Sequence, residues 1–581
     1  MSFLLLLAAA RAATLPEPPA PAAVVFPADT AVPTGPAALD QALQVELERA
    51  LTLRLPDAPA PYFVGYDVLD GTVITAFAEQ GALVSRGFDD YRNLRVEVRV
   101  GSPTLDSSNF QAFGEPDGVV QRRLPVEDAT LALRREIWLA TDTAYKQAVE
   151  HLSRKEASRR DDPTPRPPDR SPAPPAVAAI ASDDRPVERA RIEGLVERMS
   201  AELATFPEVE IAQAIARDWQ GTRMLRNSEG TDLRMPTGYT VLRVEGTVRL
   251  PDGSTVTDAR SWIVRSYADL PPEETLRADV RELGRWLAGL AAAPVEDDYL
   301  GPVLFEGPAA VELFAQLLAP ELSGTPPVEE DAGGMIDTGR PPTARLGRRL
   351  LPIGWTVVDD PTATSDVLGR YSFDHEGVAP RRVELVKDGV VRDLLMSRVP
   401  RKDLAGSTGH GRALGADRRG AMPANVTVTP KKLASDKALR RTALRLAAQT
   451  GRNYVLVVRR LVPTALVESL DVGMSGEGPL PGLTPPYEAY RLYADGREQA
   501  VRSLRFSGVD RRVLRDVALA GAGAGPVDTL DGPPGPARYQ IGPTGGVPVT
   551  WDVPSVLITE MELVGGGGGE PRALPLPPRG K

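Results

Sequence analysis

The stretch LRVEVRV at residues 94–100 alternates apolar and charged side chains, which is the period-two pattern of a β-strand with one buried face. Three runs upstream also read as strands, and glycines punctuate them: Tyr62–Asp70, Val73–Ala78 and Ala82–Arg86, with Gly71, Gly81 and Gly87. Because short alternating runs separated by turn-forming residues are typical of antiparallel strands, the sequence predicts an antiparallel meander of four strands over 62–100.

Helices are predicted where apolar residues recur at helical spacing, in Leu39–Leu53, Thr130–Arg159, Pro186–Ala204, Glu273–Leu290 and Ser435–Gln449. Beyond Gly301 short strands alternate with Gly and Pro turns: Pro302–Phe305, Val357–Asp359, Val383–Val386, Val390–Leu395, Tyr454–Arg459 and Ala489–Tyr493. We therefore expect an α+β protein, with an N-terminal α/β domain that has an antiparallel sheet and long helices, and a C-terminal domain that is mostly β.

A Pro-rich interruption divides the N-terminal half, since seven of the thirteen residues 163–175 are Pro. Neither a helix nor a central strand can continue through such a stretch, so a linker or exposed loop is expected. The predicted organisation is a signal peptide at 1–13, a Pro/Ala-rich leader at 14–36, an N-terminal α/β region at 37–160, a Pro-rich linker or loop at 161–184, the continuation of the N-terminal domain at 185–298, the C-terminal domain at 299–570 and a tail at 571–581.

The chain begins with an apolar run, Phe3–Ala10, followed by Ala10-Arg11-Ala12, which fits a signal-peptide cleavage site. This predicts a periplasmic or secreted protein. Lys and Arg are missing before the run, which leaves a cytoplasmic location as the alternative. The run is far shorter than the roughly 20 residues that a membrane-spanning helix needs, so no membrane span is expected.

Composition limits the chemistry. The formal net charge is −10, and basic residues are mixed with acidic ones, so nucleic-acid binding is not expected. The chain has no Cys and three His, which excludes thiolate chemistry and leaves few imidazole ligands for zinc.

The three histidines are far apart in sequence, and none forms a pair four residues apart on a helix. His151 is expected at the surface of a long helix, whereas His375 and His410 lie among turn residues. From the residues alone, a structural histidine is favoured at each position, and the functional site stays open.

Several strings in order resemble the TldD/PmbA family, also called the modulator of DNA gyrase family. They are RNSEGT at 226–231, GPVLFEG at 301–307, VDDP at 358–361, FDHEG at 373–377, KDG at 387–389 and STGHGR at 407–412. The resemblance covers about Val187 to Leu563.

The resemblance implies a two-domain protein that pairs into dimers, and in catalytic members a zinc peptidase that acts on peptides. Their zinc motif is His-Glu-x-x-x-His on a helix soon after the GPVLFEG-type strand, completed by a Cys. Here the corresponding positions are Ala315, Gln316 and Pro320. No zinc or other cofactor is therefore expected in this chain, which resembles the zinc-less partner type.

The first hypothesis is thus a non-catalytic subunit, in a homodimer or in a heterodimer with a zinc-bearing member, with peptides as substrates. The second is a self-sufficient peptidase or hydrolase with a relocated site at His375, Glu376 and His410, together with Asp359 or Asp360. The third is an exported protein that binds peptides or partners.

Overall fold

The computed structural model describes residues 36–111, 118–160, 165–181, 187–250, 253–330, 344–363, 367–404, 406–412, 419–461, 483–531 and 546–565. The predicted signal peptide, most of the leader and the tail lie outside the described residues. Within them, no helix is both long enough and apolar enough to cross a membrane.

The N-terminal half contains four helices and nine strands among the described residues. The helices are α1 (Pro36–Ala50), α2 (Thr130–Arg160), α3 (Arg189–Leu203) and α4 (Glu273–Ala292). The strands are β1 (Pro61–Glu79), β2 (Ala82–Ser102), β3 (Leu105–Asp106), β4 (Phe110–Gln111), β5 (Val119–Arg123), β6 (Val177–Ala179), β7 (Val209–Asn227), β8 (Asp232–Arg249) and β9 (Thr255–Val264). The helices fall within a few residues of their predicted positions.

The antiparallel arrangement predicted over 62–100 is confirmed, but its division into four strands is wrong. β1 and β2 are two continuous strands of 19 and 21 residues that pair along their length. Of the three punctuating glycines, only Gly81 lies at the turn between them. Gly71 and Gly87 lie within β1 and β2, so the turns predicted at these two glycines are wrong.

Gly71 is needed inside β1 because the backbones come very close there. It faces Gly221 of β7, and a Cβ on Gly71 would lie 2.2 Å from the carbonyl oxygen of Gln220 and 2.6 Å from Cα of Gly221. A third glycine, Gly238 of β8, is opposite Gln220 with φ of 148°. These glycines allow strands of 18 to 21 residues to pass through the middle of one sheet.

The long strands form an eight-stranded sheet in which the order β3-β2-β1-β7-β8-β6 is extended by β5 on β2 and β9 on β8. All four helices cover one face of it. The valines of LRVEVRV belong to the core under α1 and α2, while Ile74, Ala76 and Ala78 belong to a separate core under α3 and α4. The charged residues of LRVEVRV point to the opposite face.

The C-terminal half is mostly β, as predicted, with helices α5 (Pro308–Leu317), α6 (Ala319–Leu322) and α7 (Asp436–Gln449). Its strands are β10 (Tyr299–Phe305), β11 (Glu329–Glu330), β12 (Thr356–Asp359), β13 (Val383–Lys387), β14 (Val390–Val391), β15 (Gly411–Arg412), β16 (Gly420–Ala421), β17 (Asn425–Thr429), β18 (Tyr454–Leu461), β19 (Pro486–Tyr493), β20 (Glu498–Val501), β21 (Arg505–Ser507), β22 (Val517–Gly521), β23 (Val527–Asp531), β24 (Val547–Asp552) and β25 (Ser555–Val564).

Two sheets build this domain. One has the order β20-β19-β18-β10-β25-β21 with β22 on β25, and the other has the order β14-β13-β12-β17-β24-β23. A single apolar core contains residues of both sheets and of α5, and α7 packs on a second core formed with the first sheet. The Asp-Gly pair at 388–389, a sequence signal for a tight hairpin, joins β13 to β14 with φ of 52° and 75° at the two residues.

The Pro-rich segment 165–181 is buried at three of its residues. Asp169, Arg170 and Ser171 are buried, and β6 runs parallel to the start of β8. Lys155 of α2 donates to Asp169 Oδ1 at 2.7 Å, and Ser171 N donates to the carbonyl of Arg398 at 2.7 Å. The segment therefore forms a strap that contacts both domains.

The uncovered face of the N-terminal sheet packs against the C-terminal domain. Arg419 donates to Asp67 at 2.9 Å, and Arg460 donates to Asp258 Oδ1 at 2.6 Å. Between these ion pairs lies an apolar cluster from both domains: Leu69, Tyr91, Trp219, Tyr239 and Val241 with Leu368 and Leu530. The middle of the sheet is thus buried on both faces, whereas residues 82–90 of β2 are mostly exposed.

We expect Gly71→Ala to lower the free energy of unfolding by about 1–3 kcal/mol, because its methyl group would overlap the backbone of β7. Urea unfolding followed by circular dichroism measures this. The matched control is Gly289→Ala in α4, where an added Cβ meets nothing within 4 Å and helix propensity favours Ala by up to about 1 kcal/mol. Equal stabilities of the two variants would contradict the close approach of β1 and β7.

Candidate functional site

Helix α5 follows β10 directly and occupies the position where the resemblance places the zinc motif. Gly307, with φ of 56°, makes the turn, and Pro308 lies in the first helical turn, where its missing N–H costs nothing. The helix has an apolar face: Val311, Phe314 and Leu317, with the following Leu318, are buried in the core shared by the two sheets.

The three positions matched to the zinc motif have different surroundings. Ala315 is partly buried and packs against the apolar core. Pro320 is exposed in α6, beyond a break at Leu318 that separates the two helices. Gln316 is half-buried, and its amide is occupied by neighbouring groups.

Gln316 joins α5 to residues just before β19. Its Oε1 accepts from Thr484 N at 2.9 Å, and its Nε2 donates to Thr484 Oγ1 and to Glu312 Oε2, each at 2.9 Å. The side chain therefore pins a neighbouring segment to the helix through both ends of its amide.

These residues do not fit a zinc ion. Zinc in proteins takes imidazole, thiolate or carboxylate ligands, whereas the side chains of Ala315 and Pro320 contain no atom that can coordinate a metal ion. Gln316 already uses its amide oxygen on Thr484. Throughout the described part of the chain, no group of three or more His, Cys, Asp or Glu side chains is placed to hold a metal ion.

The structure brings His410 next to Asp359, two of the residues proposed for a relocated site. His410 Nε2 is 3.6 Å from Asp359 Oδ1, and both side chains are fully buried. Nδ1 of His410 is 2.9 Å from Thr408 Oγ1, while Nε2 has no hydrogen-bond partner among the described residues. Both Asp359 oxygens accept backbone N–H groups, from Ala424 at 2.9 Å and Asn425 at 3.0 Å.

Glu376 lies in the neighbouring loop, beside Asp374. Asp374 accepts backbone N–H bonds from Glu376, Val378 and Gly411 at 2.8–2.9 Å. Glu376 Oε2 accepts from Arg398 N at 2.6 Å. Burial, together with the charge of Glu376, raises the pKa of Asp374 to about 7. These carboxylates hold loop backbone in place.

The other candidates have separate roles. His375 is half-buried, and its backbone N–H donates to the carbonyl of Gly411 at 2.9 Å. Asp360 Oδ1 accepts from Thr362 N at 3.1 Å in a turn. The surface location expected for His151 is wrong, because its side chain is buried. The face of α2 that carries His151 packs against the segment around Ser107 and Phe110, and Nδ1 of His151 is 3.2 Å from the carbonyl oxygen of Ser107.

Sequence reasoning missed the charged centre at the domain boundary. Glu97 accepts from Arg95 at 2.9 Å and from Arg99 at 2.6 Å, and all three side chains are buried. Burial alone would raise the pKa of Glu97, but Arg99, Arg95 and Arg419 hold it well below its ordinary value. An alternation of valine and charge normally indicates a solvent-exposed polar face, so the sequence carried no signal for this burial.

Comparisons with known proteins agree with this architecture. Residues 299–465 match the family model described as the PmbA/TldA metallopeptidase C-terminal domain. A protein named metalloprotease from Archaeoglobus fulgidus is 37% identical over 73 residues, and one from Methanothermobacter thermautotrophicus is 44% identical over 54 residues. The matches cover 13% and 9% of this chain, and they span only 17% and 12% of the two relatives.

Solved structures are similar over nearly the whole chain. A structure described as a DNA gyrase modulator from Thermotoga maritima has a TM-score of 0.56 at 15% identity and covers 91% of this chain and 99% of its own. TldE from Thermococcus kodakarensis has a TM-score of 0.55 at 13% identity, covering 90% and 100%. At these identities the likeness shows the fold.

Fold, domain order and the position of α5 together define a two-domain α+β protein whose C-terminal domain is metallopeptidase-like. The resemblance to the TldD/PmbA family carried by the sequence strings is confirmed, since residues 299–465 match its C-terminal domain and the fold is shared with TldE.

Asp374 should make stability depend on pH. A carboxyl group with a raised pKa in the folded state contributes stability that is complete below its unfolded pKa of about 3.9 and is lost as the pH rises to about 7. We expect Asp374→Asn to remove a slope of at most about 1.4 kcal/mol per pH unit across this range. Urea unfolding at several pH values measures it, with exposed Asp495→Asn as control. An unchanged slope would contradict the raised pKa.

Proposed function

We propose that this chain is a non-catalytic subunit that pairs with a zinc-bearing member of the family and helps to enclose peptides. The support comes from α5, which keeps the buried apolar face that builds the domain core while carrying Ala315, Gln316 and Pro320 in place of ligands. The absence of Cys from the entire sequence removes the remaining thiolate ligand.

The single observation that carries this proposal is the use of Gln316. At the position of the general base, a Glu would present a carboxylate to a metal-bound water. Gln316 instead exchanges hydrogen bonds with the backbone and side chain of Thr484. A neutral amide with both ends bonded cannot accept a proton from water at neutral pH. The helix thus acts as a packing and connecting element.

We place this function in the periplasm or outside the cell, since the apolar run Phe3–Ala10 and the following Ala-Arg-Ala fit an export signal. Peptides are the proposed substrates because the two sequence relatives are named metalloproteases. A complex that processes peptides there would use this chain as its zinc-less half.

Co-purification from the periplasmic fraction of the native host tests this proposal. We expect to recover a partner with a His-Glu-x-x-x-His helix. Elemental analysis should find zinc in the fractions that contain that partner. The chain produced alone should hold only substoichiometric zinc and show no peptide hydrolysis. Stoichiometric zinc in the isolated chain, with hydrolysis that a chelator abolishes, would overturn the proposal.

A relocated hydrolytic site is the second candidate, favoured by the adjacency of His410 and Asp359. We expect His410→Ala to leave peptide hydrolysis by the purified assembly unchanged while lowering the free energy of unfolding by about 2–4 kcal/mol, because it empties a buried site. His375→Ala, at a half-buried position, serves as the milder comparison. Loss of hydrolysis in either variant with unchanged stability would favour the relocated site.

A further inference from the structure

A groove of about 690 Å³ lies where the Pro-rich strap meets the loop that follows Arg398 in the C-terminal domain. The strap wall is rich in proline, since it supplies Pro165, Pro167, Pro168 and Pro172, and the opposite wall adds Pro400. The volume falls in the range of about 300–1,000 Å³ that is typical of ligand sites.

All four charged residues that line the groove are basic: Arg166, Arg170, Arg401 and Lys402. This is a local reversal, because the chain as a whole carries a net charge of −10. Lys402 is exposed at the rim, whereas Arg170 is buried with its guanidinium stacked 3.9 Å from the ring of Phe63.

Each of two carboxylates behind the groove is shared by two arginines. Glu229 is shared by Arg170 at 3.2 Å and Arg398 at 2.9 Å. Glu329 is likewise shared by Arg159 at 2.6 Å and Arg166 at 2.9 Å.

Arg401 has its own partner, Asp403, at 2.8 Å. Two further carboxylates approach these cations, Glu97 at 3.9 Å from Arg170 and Asp169 at 3.8 Å from Arg159. They are shared as well, Glu97 with Arg95 and Arg99, and Asp169 with Lys155. Burial and the nearby charges of Arg99 and Arg398 lower the pKa of Arg170, which agrees with an excess of positive charge at this place.

The backbone of the groove offers little for a neutral ligand. Proline has no N–H group, and four of the six other backbone donors of the lining are already used: Arg170 N on Pro103, Ser171 N on Arg398, Arg401 N on Leu404 and Gly406 N on the Ser171 hydroxyl. Recognition therefore depends on the basic side chains, with the proline rings as flat apolar walls.

We propose that this groove binds acidic peptide segments, in which Asp or Glu carboxylates meet the basic lining and the extended chain lies against the prolines. Such a segment places carboxylates on a flexible backbone, and Arg and Lys bind carboxylates through charge-assisted hydrogen bonds. A longer polyanion such as nucleic acid meets repulsion from the acidic remainder of the molecule. This binding site requires neither the zinc-bearing partner nor hydrolysis.

Fluorescence anisotropy with the full-length protein tests the site, using labelled hexaglutamate, hexaglutamine and hexalysine in 50 mM NaCl. We expect hexaglutamate to bind at least tenfold more tightly than the other two peptides. Its affinity should fall steeply in 0.5 M NaCl, because salt screens charge interactions at an exposed rim.

Lys402→Glu is the decisive variant, since it reverses one exposed charge at the rim without touching the core. We expect it to weaken hexaglutamate binding at least fivefold. Lys432→Glu, at an equally exposed lysine outside the groove, should change the affinity less than twofold. Equal effects of the two variants, or equal binding of hexaglutamate and hexaglutamine, would overturn the proposal. Effective competition by hexathymidylate would assign the groove to nucleic acid instead of acidic peptides.

Discussion

The ion pairs on the second face of the long sheet are the constraint on which the two-domain structure depends. Arg419 of the C-terminal domain reaches Asp67, which also accepts from Arg223 at 3.0 Å. Glu97 lies beside them among its own arginines. Because these charges are removed from water, each must keep a partner, and removing one partner of a buried pair typically costs about 3–5 kcal/mol. The C-terminal domain is thus required to complete the N-terminal sheet.

The Pro-rich strap extends the same charge arrangement to the surface. Arg170 lies between the buried pairs and the groove, and Arg398 connects the strap to the C-terminal domain by donating to the Ser171 carbonyl at 3.0 Å. The strap is held by the side chains of Asp169 and Arg398 and by single backbone hydrogen bonds at Arg170 and Ser171, and only its β6 end forms a backbone ladder, with β8. The groove therefore follows from the way in which the two domains are joined.

Helix α5 keeps a buried apolar face, although the positions matched to the zinc motif are Ala315, Gln316 and Pro320. Burial of Val311, Phe314 and Leu317 requires only apolar side chains at helical spacing, whereas a zinc site requires particular donor atoms at fixed positions. Of the three positions matched to the zinc motif, Ala315 packs against the core, Gln316 is half-buried and Pro320 is exposed in α6. Substitution at Ala315, Gln316 and Pro320 therefore leaves the shared core of the two sheets in place.

The sequence by itself determined the fold class, the helices, the Asp388-Gly389 hairpin and the family, because these depend on local periodicity, turn chemistry and ordered strings. It also determined the lack of Cys and of paired histidines. Tertiary structure alone decided that Gly71 continues a strand, that His151 is buried, and that the polar side of LRVEVRV faces another domain. Each of these depends on a partner distant in the chain, such as Gly221 for Gly71 and Arg419 for Glu97. A pattern read along one strand records the alternation of its side chains, but it does not record what covers each face.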